Sequence, residues 1–598
     1  MQLDIYHNNI NHLNDLIIKQ KKKLSGIMIS RIAAFIALII LIAFTIYLGN
    51  FNILFGAIVP VIIFGFLVRL NSREKTYLSI LEKKKKINED EISCIEGDYS
   101  HYGNGNRFIN SQHNYSHDID LFGEKSLFQY LNRTTSFHSE EQLADLLLNF
   151  ETDKIEIKNR QKATQELATK IDWRQNFRAN GLHFKSNESE IEKLLNWKAK
   201  EIPVFENKAI WRALLILIPI ISIMSIILAS YSIIPSSLLV FILFIPLGIT
   251  GKNLKIINTQ HKNIGNYLSV LSQHQVLSNC IENEEFVSEK LNLIKSKLKT
   301  NNKSASIEIG KLTKITEQID NRSNPVFAIL MNVLMLWDLN YLFKLKEWLS
   351  SNSEEIKNWF EAVYEMETVS SLGNFHFNNP TNNFPEMDKD IVLSAENLAH
   401  PLLNNKTRVV NNFELDNLQK FTIITGANMA GKSTFLRAIG VNLILAMSGA
   451  SVSATKFSFT PLPLFSSMRT TDSLSENESY FYSELKRLQL IVNKLKSGEK
   501  LFIILDEILK GTNSKDKAEG SKRFVQQLIN YKTAGIIATH DLSLCSLKND
   551  FPSQIENSYF DVEIENDNLI FDYKLKPGIC SNMNAQFLMK KMGITNSI

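Results

Sequence analysis

The segment Ala213–Thr250 contains no charged side chain, and it is too long for one ordinary helix. The polar residues 230–232 and the group Pro235–Ser237 interrupt it, so two helices joined by a short turn fit it better than one. A helix needs about 20 mainly apolar residues to cross the hydrocarbon core of a bilayer. The segment therefore predicts a transmembrane hairpin over residues 213–250.

A second charge-free pair of runs precedes it. Ile32–Leu48 and Ile53–Val68 are joined by the uncharged turn Gly49–Asn52. The alternative is that all four runs are buried helices of a soluble protein, but helices of soluble proteins normally keep a polar face. We therefore predict four transmembrane helices in two hairpins, residues 31–70 and 213–250.

Lysine and arginine residues flank both hairpins, whereas neither turn carries a charge. Positive loops remain on the cytoplasmic side of a membrane. The chain is thus predicted to be a multi-pass membrane protein with its remaining parts, including residues 395–598, in the cytoplasm. The flanking residues are Lys19, Lys21, Lys22, Lys23, Arg31, Arg69, Arg73, Lys75, Lys198, Lys200, Lys208, Arg212, Lys252 and Lys255.

A phosphate-binding motif lies in the last third of the chain. The β-prone run Phe421–Ile424 leads into GANMAGKS, which matches G-x-x-x-x-G-K-[ST], and a helical pattern follows. In this context the loop amides and the helix N-terminus bind phosphate oxygens, Lys432 reaches the β- and γ-phosphates, and the Ser433 hydroxyl holds Mg²⁺. The predicted nucleotide-binding residues are Gly426, Ala427, Asn428, Met429, Ala430, Gly431, Lys432, Ser433 and Thr434.

Two further strand-like runs complete the pattern. Leu501–Leu505 ends in Asp506 and Glu507, and residues 535–538 are followed by Thr539 and His540. A carboxylate at the end of a buried parallel strand can bind Mg²⁺, and its neighbour can polarise the attacking water. The alternative is an ordinary acidic pair at a strand end. We predict a P-loop ATP hydrolase that uses ATP and Mg²⁺, with Asp506 and Ser433 as metal ligands and Glu507, Lys432 and His540 as catalytic residues.

Three motifs, in this order and spacing, resemble the ATPase domain of MutS-type proteins, which recognise DNA mismatches. They are TGANMAGKSTFLRAIG, LFIILDEILKGTNSKD and IIATHD. Weaker resemblances are AHPLL from Ala399, LKPGICSNMNAQFLMKKMGI from Leu575, DLFGEKSLFQYLNRTTSFHSEEQLADLL from Asp120, and FSSMRTTDSLSENESYFYSELKRL from Phe465. The resemblance implies an ABC-type α/β ATPase domain with a mainly α-helical core domain. It also implies a homodimer that binds DNA, in which Ser479 contacts the partner subunit's nucleotide.

The chain also departs from this family. The family's mismatch-reading domain precedes the core domain, and here a membrane hairpin takes up much of that length. The second hairpin interrupts the core domain, and Ala430 stands where the family usually has glycine. An alanine fits there if its φ is negative. The expected division of the chain is a cytoplasmic segment 1–30, hairpin 31–70, polar linker 71–117, core region 118–212, hairpin 213–250, helical core 251–373, linker 374–394 and ATPase domain 395–598.

Composition leaves the partner open. The formal net charge is only +4, so no overall basic excess indicates nucleic acid, and the four scattered cysteines form no zinc motif. Two alternatives to a DNA-coupled ATPase remain. One is a membrane scaffold that binds nucleotide, and the other is an ABC-like transporter component, although the chain has no L-S-G-G-Q signature and its spans carry no charge that would mark a transport path.

Overall fold

The computed structural model describes residues 2–49, 56–184, 188–202, 205, 207–300, 303–388, 391–404, 406–469, 480–510, 512–565 and 568–580. Helices dominate the chain up to residue 378, and strands alternate with helices after it. Short 3₁₀ turns occur at Asn106–Phe108, Ala199–Glu201, Asn321–Ser323 and Leu542–Ser546.

The N-terminal hairpin consists of two long helices, α1 (Gln2–Leu48) and α2 (Ile58–Ile95), which pack along each other. At 1.5 Å per residue, α1 is about 70 Å long, more than twice the thickness of a hydrocarbon core. Segment 1–30 is therefore the first part of a continuous helix. The predicted linker 71–117 is helical as far as Ile95, so that part of the prediction is wrong.

The helical region follows and includes the second hairpin. Its first helices are α3 (Leu127–Leu131), α4 (Phe137–Leu148), α5 (Lys154–Thr169), α6 (Ile171–His183), α7 (Glu188–Leu195), α8 (Lys208–Ser230) and α9 (Ser236–Lys252). The chain continues with α10 (Leu254–Glu282), α11 (Glu289–Lys297), the two-residue strands β1 (Lys299–Thr300) and β2 (Lys303–Ser304), α12 (Ala305–Asp320), α13 (Pro325–Met335), α14 (Trp337–Asn352) and α15 (Glu355–Asn378).

The apolar runs of both hairpins lie mainly on the outside of the structure. The most apolar window of α1 is 6% buried and that of α8 is 22% buried. These helices are therefore not covered by protein, in contrast to the alternative of buried core helices. Their exposed residues include Phe35, Ile40, Phe44, Ile62, Phe66, Ile216, Ile220, Phe241 and Phe244.

Within the described residues, α1 and α8 are each long and apolar enough to cross a membrane. Two bent pairs also qualify if each pair is counted as one span. They are α9 with the start of α10, bent by 64°, and α13 with α14, bent by 79°. The predicted span Ile53–Val68 begins outside the described residues, and the structure shows its remaining part as the first turns of α2.

Within the described residues, the C-terminal domain has two larger sheets and a separate two-stranded hairpin. The larger sheet has six strands in the spatial order β14, β11, β6, β10, β9 and β8. All of them are parallel except β14, which is antiparallel to β11. The smaller sheet has four strands in the order β3, β7, β4 and β5. The elements are β3 (Glu386–Met387), β4 (Leu393–Leu398), β5 (Asn411–Leu415), β6 (Phe421–Gly426), α16 (Lys432–Met447), β7 (Lys456–Phe459), β8 (Leu464–Ser467), α17 (Tyr480–Lys496), β9 (Phe502–Asp506), α18 (Ser514–Ile529), β10 (Ala534–Ala538), α19 (Leu547–Asp550), β11 (Ile555–Phe560), the separate hairpin β12 (Glu563–Glu565) and β13 (Asn568–Ile570), and β14 (Leu575–Pro577).

Two boundaries differ from the predicted ones. The linker 374–394 contains the end of α15 and strand β3, which pairs with β7 of the C-terminal domain. The segment that begins at Asp118, predicted to open the helical core, packs its apolar residues from Ile119 to Leu147 into the core of the C-terminal domain. Asp118 fixes this contact, since its carboxylate accepts hydrogen bonds from the Ser466 hydroxyl (2.6 Å) and the Arg469 backbone N–H (3.0 Å).

Candidate nucleotide-binding site

Three parallel strands bring the predicted site residues to one edge of the larger sheet. Strand β10 lies between β6 and β9, with Ala538 opposite both Ile424 and Asp506. Each of these strands is a run of buried apolar residues that ends in a polar or glycine-containing loop. Ligands bind outside the carboxyl ends of strands in such sheets, because the polar loops that follow the strands meet there.

The loop between β6 and α16 depends on two glycines with positive φ. Gly426 has φ 143°, and a Cβ there would lie 2.6 Å from the Phe560 carbonyl oxygen. Gly431 has φ 105° and directly precedes α16. Ala430 is buried and is not among the residues with positive φ, whereas the exposed Met429 has φ 67°. The alanine methyl group is therefore accommodated without distortion of the loop.

Lys432 is buried inside this loop. Its ammonium donates hydrogen bonds to the carbonyl oxygens of Gly426 (2.7 Å) and Ala427 (2.9 Å) and lies 3.3 Å from His540 Nε2. Burial lowers the pKa of Lys432, while the carboxylates of Asp506 and Glu507 act in the opposite direction. The Lys432 ammonium is thus held by loop carbonyl oxygens, and the two carboxylates favour its charged form.

Ser433 and Asp506 are in direct contact. The Ser433 hydroxyl donates a hydrogen bond of 2.6 Å to Asp506 Oδ2, across the gap between α16 and β9. A hydroxyl and a carboxylate are the oxygen ligands that Mg²⁺ prefers, and they are usually supplemented by water and substrate phosphates. The two residues therefore fit a magnesium ion.

Glu507 and His540 face each other beside Lys432. His540 Nε2 lies 3.8 Å from Glu507 Oε1, and Lys510 Nζ lies 3.8 Å from Glu507 Oε2. Burial and the Lys432 charge lower the pKa of His540, which favours a neutral ring despite the opposing carboxylates of Glu507 and Asp506. The backbone of Glu507 is fixed by its N–H bond to the Ala538 carbonyl (2.9 Å).

The structure thus brings Lys432, Ser433, Asp506, Glu507 and His540 together, as the sequence predicted. Comparison with known proteins identifies the same region. The family description MutS domain V matches residues 422–596. The C-terminal region of this chain is therefore similar to MutS proteins over residues 422–596.

Relatives match over a limited part of their length. The DNA mismatch repair protein MutS of Thermotoga maritima is 30% identical over 263 residues, which are 42% of this chain and 32% of that protein. MutS of Prochlorococcus marinus is 27% identical over 338 residues, 53% of this chain and 33% of that protein. Human MutS protein homolog 4 is 31% identical over 195 residues, which are 31% of this chain and 20% of that protein. This chain thus covers about a third or less of each of these relatives.

A cavity of about 630 Å³ opens beside the loop of the MutS domain. Its volume lies within the range of about 300–1,000 Å³ typical of small-molecule sites. One wall is the phosphate-binding loop, with Asp506, Glu507 and His540. The rest of the lining was not predicted from the sequence, except that AHPLL contains Ala399, His400 and Leu403, and it includes Leu398, Ala399, His400, Leu403, Asn404, Thr407, Arg408, Val409, Asn411, Phe560 and Tyr573.

Glu484 of α17 is a further residue of the MutS domain that the sequence analysis did not single out. Its carboxylate is buried and accepts hydrogen bonds from the backbone N–H groups of Leu509 (2.5 Å) and Lys510 (3.0 Å). These residues follow Glu507, and both Glu507 (φ 54°) and Leu509 (φ 61°) have positive φ. Glu484 thus holds the strained loop that carries Glu507. Its position within the stretch that resembles MutS proteins was the only available signal.

The predicted partner contact Ser479 lies outside the described residues, one residue before α17 begins. Its neighbours on α17 are described, including Glu484. The helix that follows Ser479 is therefore tied to the Glu507 loop of its own subunit.

Proposed function

We propose that this chain is a membrane-anchored, dimeric ATPase of the MutS type that couples ATP hydrolysis to DNA binding. The observation that carries the proposal is the contact between the Ser433 hydroxyl and the Asp506 carboxylate, with Lys432, Glu507 and His540 beside it. These residues come from three separate motifs, and a phosphate-transfer site needs them together.

The proposed reaction is hydrolysis of the bond between the β- and γ-phosphates. Glu507 accepts a proton from the water that attacks the γ-phosphorus, and the bond to the bridging oxygen breaks to release ADP and phosphate. Lys432 neutralises the charge on the β- and γ-phosphate oxygens. His540 contacts the γ-phosphate from the adjacent strand and orients the Glu507 carboxylate.

Ser433 and Asp506 would hold Mg²⁺, which when bound neutralises charge on the phosphate oxygens. The Ser433 hydroxyl, which donates a hydrogen bond to the Asp506 carboxylate, would be one of the two protein ligands. The nucleoside would occupy the cavity, whose lining includes His400 and Tyr573. Burial and the nearby Arg437 lower the pKa of His400 to about 4, so its ring is neutral at physiological pH.

The proposed anchor consists of the two hairpins, with the ATPase domain in the cytoplasm. Exposed apolar faces on α1, α8 and α9 support insertion, and the basic residues at the hairpin ends support the orientation. The anchor also contacts the segment that leads into the ATPase domain. Tyr6 of α1 donates a hydrogen bond of 2.7 Å to Asn378, the last residue of α15, which leads into β3.

ATP turnover by the full-length protein in lipid nanodiscs tests the DNA coupling. Wild type and Glu507→Gln are compared with no DNA and with duplex, mismatched or branched DNA, over a series of salt concentrations. We expect at least one DNA to change the Glu507-dependent rate, and the change to fade as salt rises because phosphate contacts release counterions. The DNA that acts at the highest salt concentration identifies the preferred structure.

The opposite result has an equally definite meaning. If hydrolysis requires Glu507 but no DNA alters it at low salt, DNA coupling is wrong. The ATPase then serves a membrane scaffold or a transporter. Heparin at matched charge is the control for a general response to polyanions.

A further inference from the structure

Helix α13 carries an exposed apolar surface. No charged residue occurs between Arg322 and Asp338, and the polar Asn332 is buried. Val326, Ile329 and Leu330 are 75%, 61% and 55% exposed. On α14 and α15, by contrast, the large apolar residues Trp348, Trp359 and Met366 are buried. The exposed face of α13 is therefore a local feature.

This face continues the outer surface of the second hairpin. Helix α13 packs against both α8 and α9. Those two helices expose Ile216, Ile220, Phe241 and Phe244 on their own outer surfaces. An apolar patch larger than a few hundred Å² marks a contact with protein or membrane. Because the patch joins helices that are long and apolar enough for a bilayer, the same lipid is its natural occupant.

Both ends of α13 are held at one polar cluster. Arg322, before the helix, pairs with Asp338, after it, at 2.9 Å. Asn332 donates to the same carboxylate at 2.9 Å and accepts the Asp338 backbone N–H at 3.0 Å. The pairing of Arg322 with Asp338 keeps the two ends on the same side of any membrane. The chain bends by 79° between α13 and α14 at Leu336, which has φ 47° and is buried.

The length of α13 agrees with a helix whose two ends stay on the same side of the membrane. Its 11 residues span about 16 Å, roughly half of a 30 Å hydrocarbon core. The adjoining α14 is held near the charged start of α8 by an ion pair between Glu347 and Arg212. The polar cluster and α14 therefore lie at the level where the second hairpin leaves the membrane.

We propose that α13 inserts into the bilayer leaflet on the side of the ATPase domain, beside α8 and α9, without crossing it. The proposal rests on the membrane anchor proposed above and adds a third element to the second hairpin. The partner of the exposed face is the acyl-chain region of the lipid. Because α13 is joined to α12 and α14 of the helical region, it attaches that region directly to the membrane surface.

Site-specific photocrosslinking in the full-length protein tests this insertion. A benzophenone amino acid replaces Ile329 on α13, Phe241 on α9 or Ile307 on α12, one site per protein. Ile307 is a matched control, because it is an isoleucine of almost the same exposure (60%) on a helix outside the hairpins. Each protein is reconstituted in phosphatidylcholine and phosphatidylglycerol vesicles that contain an alkyne-labelled lipid. We expect lipid adducts at Ile329 and Phe241, and none above background at Ile307.

Each other outcome overturns a distinct part of the account. Lipid adducts at Phe241 but not at Ile329 leave the anchor intact and show that α13 is outside the bilayer. A crosslink from Ile329 to a second copy of the chain shows that protein covers the face, which also overturns the proposal. Lipid adducts at neither site contradict the anchor itself. The three substitutions are at exposed positions, so none removes a core contact.

Discussion

We expect Glu507→Gln to lower kcat for ATP hydrolysis by about 10² to 10⁴-fold, the usual contribution of a positioned general base. Glutamine keeps the size of the side chain but cannot accept the proton from water. Affinity for ATP should change little, because Glu507 contacts His540 and Lys510 and lies outside the phosphate-binding loop. Single-turnover hydrolysis and equilibrium binding of a fluorescent ATP analogue separate the two quantities.

Glu499→Gln is the matched control. Glu499 lies just before β9, and its carboxylate is partly exposed and pairs with Lys494. Its replacement should leave kcat and nucleotide affinity unchanged. If Glu507→Gln turns over ATP at the wild-type rate, Glu507 is not the base. If it loses affinity instead of kcat, the residue acts in binding.

The second large effect is expected at Glu91, which joins the N-terminal hairpin to the helical region. Its side chain is 1% exposed and accepts hydrogen bonds from Arg133 (2.6 and 3.0 Å), Asn374 (3.0 Å) and Asn378 (2.7 Å). Removal of one partner of a buried ion pair typically costs about 3–5 kcal/mol, because the other charge remains buried. Glu91→Ala should therefore loosen the contact between α2 and α15.

Hydrogen exchange measures this loosening. A cost of about 3–5 kcal/mol corresponds to amide exchange faster by about 10² to 5 × 10³-fold in residues 87–95 and 370–378, if exchange there occurs by opening of this contact. Glu89→Ala, on the same helix and paired only across the surface with Lys85, should change exchange little. Unchanged exchange in Glu91→Ala would show that the hairpin does not depend on this cluster.

The same cluster has a defined pH dependence. Burial opposes ionisation of Glu91, but Arg133, Arg178 and Asn374 outweigh it and lower the pKa of Glu91 to about 2. A depressed pKa means that the folded state favours the ionised form. The stabilisation is therefore complete above the ordinary pKa of a glutamate and is lost as the pH falls from there toward 2.

The sequence predicted that the five candidate site residues lie together, because these residues follow strands. A strand, a glycine-rich loop and a helix at one point, and acidic or histidine residues after two more buried runs, place all five side chains at one sheet edge. The cavity lining outside the phosphate-binding loop and its neighbouring strand ends was not predictable in this way, and neither was Glu484. Their contacts join residues far apart in the chain, and Glu484 resembles any other glutamate of a charged helix.

In the helical parts, too, some features were predictable from the sequence and others were not. Long charge-free runs in the hairpins were recognisable from composition alone. The 11-residue helix α13 was not, because an apolar run of that length is equally typical of a core helix, and only the packing of α13 on α8 and α9 reveals its exposed face. The many charged residues of α2 likewise suggested a polar linker, whereas Glu91 and Asn88 are buried by contacts with other helices.

One measurement tests the central claim that the chain is an ATPase held in a membrane. Full-length protein reconstituted with phospholipid vesicles is washed at high salt, which screens surface attachment, and then floated through a density gradient. ATP hydrolysis is assayed in every fraction for wild type and Glu507→Gln. The account predicts that the protein floats with the vesicles, and that hydrolysis floats with wild type but is absent from Glu507→Gln. Protein that stays in the dense fractions, or that floats without hydrolysing ATP, would contradict it.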